Sequence, residues 1–258
     1  MFTVEQRERL RHDLVDMARA DERIIAGAEV GSLTQTSGDR WSDLDLTFGV
    51  TRGHEVDEVL ADWTARLQRE RGAVQLFDLR SLDTTYRVFL FPGSLQVDLS
   101  FTPGAVAQTG PKFKMLFGRT VKRYVAPQLD PREILGLCVH HALRARFGVE
   151  RGRLWSAQYY IDELRHETLS LACVRRGLPG RYARGFDELP GELLDNAAHA
   201  LPQSLEPSEL LRALRCAIGL LIEAAADMAA LPLVIPTLDE LAGDVLGANP
   251  RGNDDDPS

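Results

Sequence analysis

The sequence predicts an α+β protein, with a mixed β-sheet and helices in the N-terminal half and an all-α, bundle-like domain after it. Two observations predict this. Strand-like apolar runs alternate with helical patterns in the first half, and from Pro131 onward almost every segment has helical periodicity. We expect a first domain over 1–125, a helical domain over 126–248, and a polar, disordered tail over 249–258.

The N-terminal half reads as a helix, a strand, a helix and then a meander of strands. Thr3 is a candidate N-cap of the first helix. Pro92 and Gly93 favour a tight turn, so the last two strands should form a hairpin. The predicted elements are a helix at 3–22, a strand at 24–30, a loop or short helix at 34–41, a strand at 43–50, a helix at 54–71, and strands at 74–79, 85–91 and 95–101.

The C-terminal half is predicted to be a helical bundle. Its apolar residues recur at three- and four-residue intervals, which is typical of amphipathic helices that share a core. The predicted helices lie at 131–147, 152–177, 190–200, 207–231 and 237–246.

Composition excludes several classes of protein. The net charge of −8 argues against general nucleic-acid binding, because phosphate contacts need a basic surface. The most apolar stretch, 216–236, is interrupted by Glu223 and Asp227 and is therefore expected to pack within the protein and not to cross a membrane. The N-terminus has no signal-like apolar run, and three scattered cysteines favour reduced thiols. We expect a cytoplasmic protein.

A pair of carboxylates gives the most specific signal in the chain. Asp43 and Asp45 lie two residues apart at the start of a predicted strand, so both side chains point to the same face. They repel each other unless a cation lies between them, and Mg²⁺ prefers such oxygen ligands. The preceding Gly31-Ser32 turn can offer backbone N–H groups and a hydroxyl to phosphates. This combination is the chemistry of nucleotidyl transfer.

The ordered motifs also resemble a known family. Gly31-Ser32 followed by Ser42-Asp43-Leu44-Asp45-Leu46 is similar to the signature of the DNA polymerase β-like nucleotidyltransferase superfamily, and in size to its small bacterial aminoglycoside and lincosamide members. Those proteins need a third carboxylate on a later strand, and Asp98 supplies one. The resemblance covers about residues 25 to 102.

The resemblance implies a set of roles. Asp43 and Asp45 would bridge two Mg²⁺ ions, and Asp98 would be a metal ligand, the general base, or both. Gly31, Ser32 and Ser42 would contact the nucleotide. Because no basic residue follows Gly31-Ser32 before Arg40, contacts to the triphosphate are expected from Arg40, Lys112 and Lys114, for which a solvated basic loop is the competing interpretation.

The acceptor is assigned to one face of the helix predicted at 152–177. Trp155, Tyr159, Asp162 and Glu163 share its polar side, and large exposed aromatics tend to mark binding surfaces. Packing between the two domains is the competing interpretation.

Together these features predict a Mg²⁺-dependent nucleotidyltransferase. It would move a nucleoside monophosphate, AMP as first choice, from a nucleoside triphosphate to a hydroxyl of an antibiotic-like or metabolite acceptor. Two alternatives stay open: nucleotidyl modification of a protein or RNA partner, as in antitoxin-type enzymes, and a degenerate protein that only binds a nucleotide. Fold does not decide between them.

Overall fold

The computed structural model describes residues 1–34, 39–81, 83–108, 112–121 and 129–243. The chain divides into two compact units, Met1–Pro127 and Gln128–Ser258. The predicted α+β class is confirmed, with an N-terminal mixed sheet and helices followed by a helical region. The boundary predicted between 125 and 126, and the tail at 249–258, lie outside the described residues.

The described part of unit 1 contains a six-stranded sheet in the order β3-β4-β5-β2-β1-β7. β2 and β5 are parallel, and every other neighbouring pair is antiparallel. A short parallel pair, β6 with β8, forms a separate two-stranded sheet, and Val106 of β6 packs against Ala26 and Ala28 of β1. The strands are β1 (Ile24–Val30), β2 (Leu44–Val50), β3 (Val74–Ser81), β4 (Thr84–Phe91), β5 (Leu95–Pro103), β6 (Val106–Ala107), β7 (Phe113–Phe117) and β8 (Thr120–Val121).

Two helices, α1 (Val4–Ala20) and α2 (Val56–Arg71), pack on one face of this sheet. Thr3 caps α1 as predicted, and its backbone N–H donates in return to the Gln6 side chain. The core between helices and sheet contains Phe48, Trp63 and Phe101, whose ring centroids lie 5.2–5.5 Å apart.

The register of β2 and β5 decides which side chains leave this core. Leu44 is paired with Val97 and both are fully buried, while the next pair is Asp45 with Asp98. Because side chains alternate along a strand, both carboxylates project from the face opposite the helices.

The strand β7, which contains Lys114 and directly follows Lys112, differs from the basic loop considered as the competing interpretation for these lysines. It pairs with β1 at the edge of the sheet, and Phe113 and Met115 pack beside the small apolar cluster of β1. The run is only five residues long with a lysine inside it, so its sequence resembles a polar loop. Pairing with β1 stabilises this strand, and such pairing cannot be recognised from the residues of the strand alone.

The described part of unit 2, residues 129–243, consists of helices around an apolar core. They are α3 (Pro131–Glu150), α4 (Leu154–Arg175), α5 (Gly191–His199), α6 (Pro207–Ala224) and α7 (Leu231–Ala242). Ala157, Ile161 and Leu164 are fully buried, as their spacing on α4 predicts.

The helix boundaries predicted at 231 and 237 are wrong. The fourth helix of this unit ends at Ala224 and the last begins at Leu231. The first N–H groups of a helix have no acceptor within the helix, so proline, which lacks an N–H, fits the first turn. Pro232 is therefore compatible with a helix that begins at Leu231, earlier than the sequence pattern indicates. None of the described helices is long and apolar enough to cross a membrane.

Candidate metal and nucleotide site

Three carboxylates meet on the face of the sheet opposite α1 and α2. Asp45 and Asp98 are paired across the parallel strands β2 and β5, and Asp43 lies one residue before β2. One oxygen of each of the three lies within 4.8 Å of the other two, and all three residues are partly exposed. The structure therefore brings together the three aspartates that the sequence singles out.

The electrostatics of this cluster favour a cation. Burial raises the pKa of Asp98 and the nearby Asp43 carboxylate raises it further, while a hydrogen bond from Gln96 opposes both. Gln96 Nε2 donates to Asp98 Oδ1 over 3.0 Å. Three hard oxygen donors at this spacing fit a divalent ion such as Mg²⁺, whose charge would offset their mutual repulsion.

The Gly31-Ser32 turn lies directly against this cluster. Gly31 has a φ of +81°, and a Cβ atom added to it would collide with Asp45 Oδ2. The Gly31 N–H donates to the Lys112 carbonyl over 3.2 Å, and the Gly31 carbonyl accepts from Thr34 Oγ1 over 2.8 Å. Only glycine satisfies both the backbone angle and this contact, so the turn is built to approach the carboxylate closely.

The described segment before Asp43, residues 39–42, is tied together by its own hydrogen bonds. Asp39 Oδ1 accepts from the Trp41 N–H over 2.8 Å, and the Asp39 N–H donates to Ser42 Oγ over 3.0 Å. The guanidinium carbon of Arg40 lies 4.1 Å from the centre of the Trp41 ring. Of the predicted nucleotide contacts, Ser42 thus has a hydroxyl engaged within the segment, and Arg40 is held on an aromatic face.

The two predicted lysines differ in their surroundings. Lys114 Nζ lies 3.9 Å from Glu29 Oε2, whose side chain is buried, and burial raises the pKa of Glu29 although Arg11 and Lys114 lower it. Lys112 is exposed, and its carbonyl accepts the Gly31 N–H. Lys112 is therefore the basic residue next to the turn, whereas the charge of Lys114 is shared with Glu29.

A cavity of about 310 Å³ adjoins the carboxylates. It is lined by Phe2, Asp39, Trp41, Ser42, Asp43, Ser94 and Gln96. A larger one, of about 490 Å³, lies around residues 51–57, and none of the three aspartates lines it. Proximity to the chemistry, and not size, makes the smaller cavity relevant.

The four residues predicted to bind the acceptor lie on α4 in unit 2. Trp155 is 76% exposed and Tyr159 is 56% exposed, so neither side chain contributes to the core of that unit. Asp162 accepts a hydrogen bond from Arg165 over 2.8 Å, and Glu163 raises the pKa of His141 against the lowering caused by burial. Their assignment to an acceptor stays a prediction.

Two residues next to the cluster were given no role by the sequence. Strand alternation places Gln96 on the same face of β5 as Asp98, and its side chain is hydrogen-bonded to that carboxylate. The other is Arg7 of α1, whose side chain reaches residues 39 and 42. No local pattern distinguishes it from the other arginines of that helix.

Comparisons with known proteins are distant. No protein-family model and no curated protein matches the sequence. A crystal structure of an aminoglycoside 6-adenyltransferase from Bacillus subtilis matches 95% of this chain and 100% of its own at 12% identity, with a TM-score of 0.40. A nucleotidyltransferase-like protein from Exiguobacterium sibiricum 255-15 matches 91% and 89% at 10% identity, with a TM-score of 0.35.

A third structure, a CD-NTase from Bradyrhizobium diazoefficiens in complex with GTP, matches 90% of each chain at 11% identity, with a TM-score of 0.26. The predicted resemblance to nucleotidyltransferases is confirmed in that structures of such proteins match this chain. At these TM-scores the matches carry no argument about activity, so the functional assignment depends on the residues themselves.

Proposed function

We propose that the protein is a Mg²⁺-dependent nucleotidyltransferase that moves a nucleoside monophosphate from a nucleoside triphosphate to a hydroxyl of a small-molecule acceptor. AMP is our first choice of transferred group. The observation that carries the proposal is the triad of Asp45 and Asp98 on two parallel strands with Asp43 directly before the first of them, beside the Gly31-Ser32 turn.

The turn and Asp98 lie on opposite sides of β2, so we assign the triphosphate to one side and the acceptor to the other. In the order of the sheet, β1 leads into the turn on one side of β2, and β5 carries Asp98 on the other. The N–H groups of a tight turn suit phosphate oxygens, so the triphosphate belongs on the β1 flank with Ser32 and Lys112. The acceptor hydroxyl belongs on the β5 flank, where Asp98 can accept its proton.

Asp43, Asp45 and Asp98 would hold the Mg²⁺ ions. When bound, Mg²⁺ supplies stabilisation of negative charge on the oxygens around the reacting phosphorus. Gly31 allows the phosphates to approach Asp45 closely, because no side chain separates the turn from that carboxylate. Lys112 adds a positive charge beside the turn, and the pyrophosphate leaves with its negative charge partly balanced there.

Transfer of label from nucleoside triphosphates tests the proposal. The four triphosphates, each labelled at the α-phosphate, are incubated with the protein, Mg²⁺ and a panel of aminoglycosides, lincosamides and hydroxylated metabolites. We expect transfer of label to an acceptor, with dependence on Mg²⁺ and on the triad, and with Asp43→Asn and Asp45→Asn inactive. Asp83→Asn, in an exposed turn, is the matched control and should retain wild-type rates.

The same assay separates the alternatives. Label that appears on a protein or an RNA, and not on any small molecule, favours the antitoxin-type function. Nucleotide binding without transfer of label under any condition favours a protein that only binds nucleotides. Transfer activity that survives both Asp43→Asn and Asp45→Asn contradicts the proposed site.

A further inference from the structure

A buried arginine of α1 connects this helix to the segment that precedes Asp43. Arg7 is only 4% exposed, and its Nη1 donates to two backbone carbonyls, that of Asp39 over 2.8 Å and that of Ser42 over 2.9 Å. These acceptors are 32 and 35 residues away along the chain. One guanidinium therefore fixes both ends of the described segment 39–42.

The guanidinium of Arg7 is buried and interacts with several polar groups. Its Nε lies 3.6 Å from Glu8 Oε1, too far for a hydrogen bond but close enough for an ion pair, and within the described part of the chain that nitrogen has no hydrogen-bond partner. The desolvated charge is thus offset by the two carbonyls, by the Glu8 carboxylate and by buried Glu29, whose pKa is raised by burial and which the charge of Arg7 helps to lower. A buried arginine is costly unless it is paired, which makes a purely incidental contact a poor explanation.

The segment that Arg7 holds leads directly into the metal ligands. Ser42 precedes Asp43, and β2 with Asp45 begins immediately afterwards. Asp43 itself is not on the strand, so the pairing of β2 with β5 does not fix its carboxylate as it fixes Asp45 and Asp98. Something outside the sheet must orient it.

We propose that Arg7 is a positioning residue for the divalent-metal site, acting through the carbonyls of Asp39 and Ser42 to hold Asp43 against Asp45 and Asp98. The proposal rests on the proposed function, because it assumes that the triad binds metal. Groups that hydrogen-bond to the ligands of a metal orient those ligands, and loss of such a group typically weakens metal binding by about 10- to 100-fold.

The test compares two conservative variants of α1. Arg7→Lys keeps the positive charge, but its side chain is one bond shorter and ends before the position from which Arg7 Nη1 donates to both carbonyls. Arg11→Lys is the matched control, since Arg11 lies on the same helix and pairs with Glu8 over 2.9 Å and Glu29 over 3.8 Å. For each full-length protein, Mn²⁺ binding is measured from the signal of free Mn²⁺ by electron paramagnetic resonance, and the unfolding midpoint is measured without metal.

We expect Arg7→Lys to bind Mn²⁺ about tenfold more weakly or worse, and Arg11→Lys to bind it as wild type does. Equal Mn²⁺ affinity in folded Arg7→Lys and wild type overturns the proposal, as does an equal loss in both variants. If wild type itself binds no Mn²⁺, the proposed function fails together with this inference.

Asp39 offers a second route that leaves α1 unchanged. Asp39→Ala removes the acceptor for the Trp41 N–H and loosens the same segment, whereas Asp39→Asn retains an oxygen that can accept it. We expect weakened Mn²⁺ binding in Asp39→Ala and near-normal binding in Asp39→Asn. Wild-type binding in Asp39→Ala contradicts the proposal even where Arg7→Lys does not fold.

Discussion

Individual side chains at the site were predictable to different degrees. Asp43, Asp45 and Asp98 follow from strand alternation, and Gly31 from its place in the motif. Arg7 was not predictable, because its role depends on contacts with residues 32 and 35 positions away. Periodicity reports which face of an element a residue lies on, but not which distant backbone group that face meets.

Gly31 gives a sharp prediction at this level. In Gly31→Ala the new Cβ would meet Asp45 Oδ2, so we expect loss of Mg²⁺-dependent nucleotide binding together with about 1 kcal/mol of lost stability from the positive φ. Gly53→Ala is the matched control, since Gly53 has a φ of +102° and none of the described atoms lies within 4 Å of where its Cβ would stand. Calorimetric binding of a nucleotide with Mg²⁺ measures the difference. Equal nucleotide binding in both variants would refute the contact.

Asp98 should show opposite effects on rate and on stability. Because burial and Asp43 raise its pKa, the charged carboxylate is unfavourable in the metal-free fold at neutral pH. The stability that Asp98 contributes should increase as pH falls through this raised pKa and be complete below the ordinary value of 3.8. Asp98→Asn should therefore unfold at the same temperature or higher without metal, yet transfer nucleotide at least about 10²-fold more slowly. A destabilised variant, or one with a normal rate, would remove Asp98 from the proposed role.

Among the secondary-structure elements, the long ones were predictable and the short edge strand β7 was not. β1, β2 and β5 follow their apolar patterns to within two residues, because both their propensity and their burial favour a strand. β7 instead depends on pairing with β1. The helix ends near Ala224 and Leu231 were misplaced because the residues between them are mostly alanine, with no glycine or proline to mark the break.

Hydrogen bonds to Asp21, at the junction between α1 and β1, give a prediction about the pH dependence of stability. Asp21 accepts hydrogen bonds from Arg23 and from Trp63 Nε1 on α2, and the Arg23 bond chiefly lowers the pKa of Asp21 to about 2 from an ordinary 3.8. The stabilisation, about 2 kcal/mol, should be complete above pH 3.8 and lost as pH falls through about 2.

Urea unfolding of Asp21→Asn measures this effect. We expect the variant to be less stable than wild type at pH 7 and the difference to shrink on acidification. Asp62→Asn is the control, because Asp62 also pairs with Arg23 but its side chain is 68% exposed, so its loss should cost less than about 1 kcal/mol. A difference for Asp21→Asn that grows as pH falls would contradict the assignment.

The chain as a whole consists of two units, each with an apolar core of its own. The change from mixed to purely helical patterning predicted a mixed sheet followed by a helical region, since each kind of patterning needs a different partner surface. The Asp triad, the Gly31-Ser32 turn, Lys112 and Arg7 all belong to unit 1. The metal chemistry can therefore be tested separately from the acceptor residues predicted on α4.

Anomalous diffraction from crystals of the full-length protein grown with Mn²⁺ and a non-hydrolysable nucleoside triphosphate tests the metal site most directly. We predict Mn²⁺ peaks bounded by carboxylate oxygens of Asp43, Asp45 and Asp98, with the triphosphate against Gly31 and Ser32, and no such peaks in crystals of Asp45→Asn. Nucleotide bound with Mn²⁺ elsewhere in the chain, and no peak at the triad, would contradict the account.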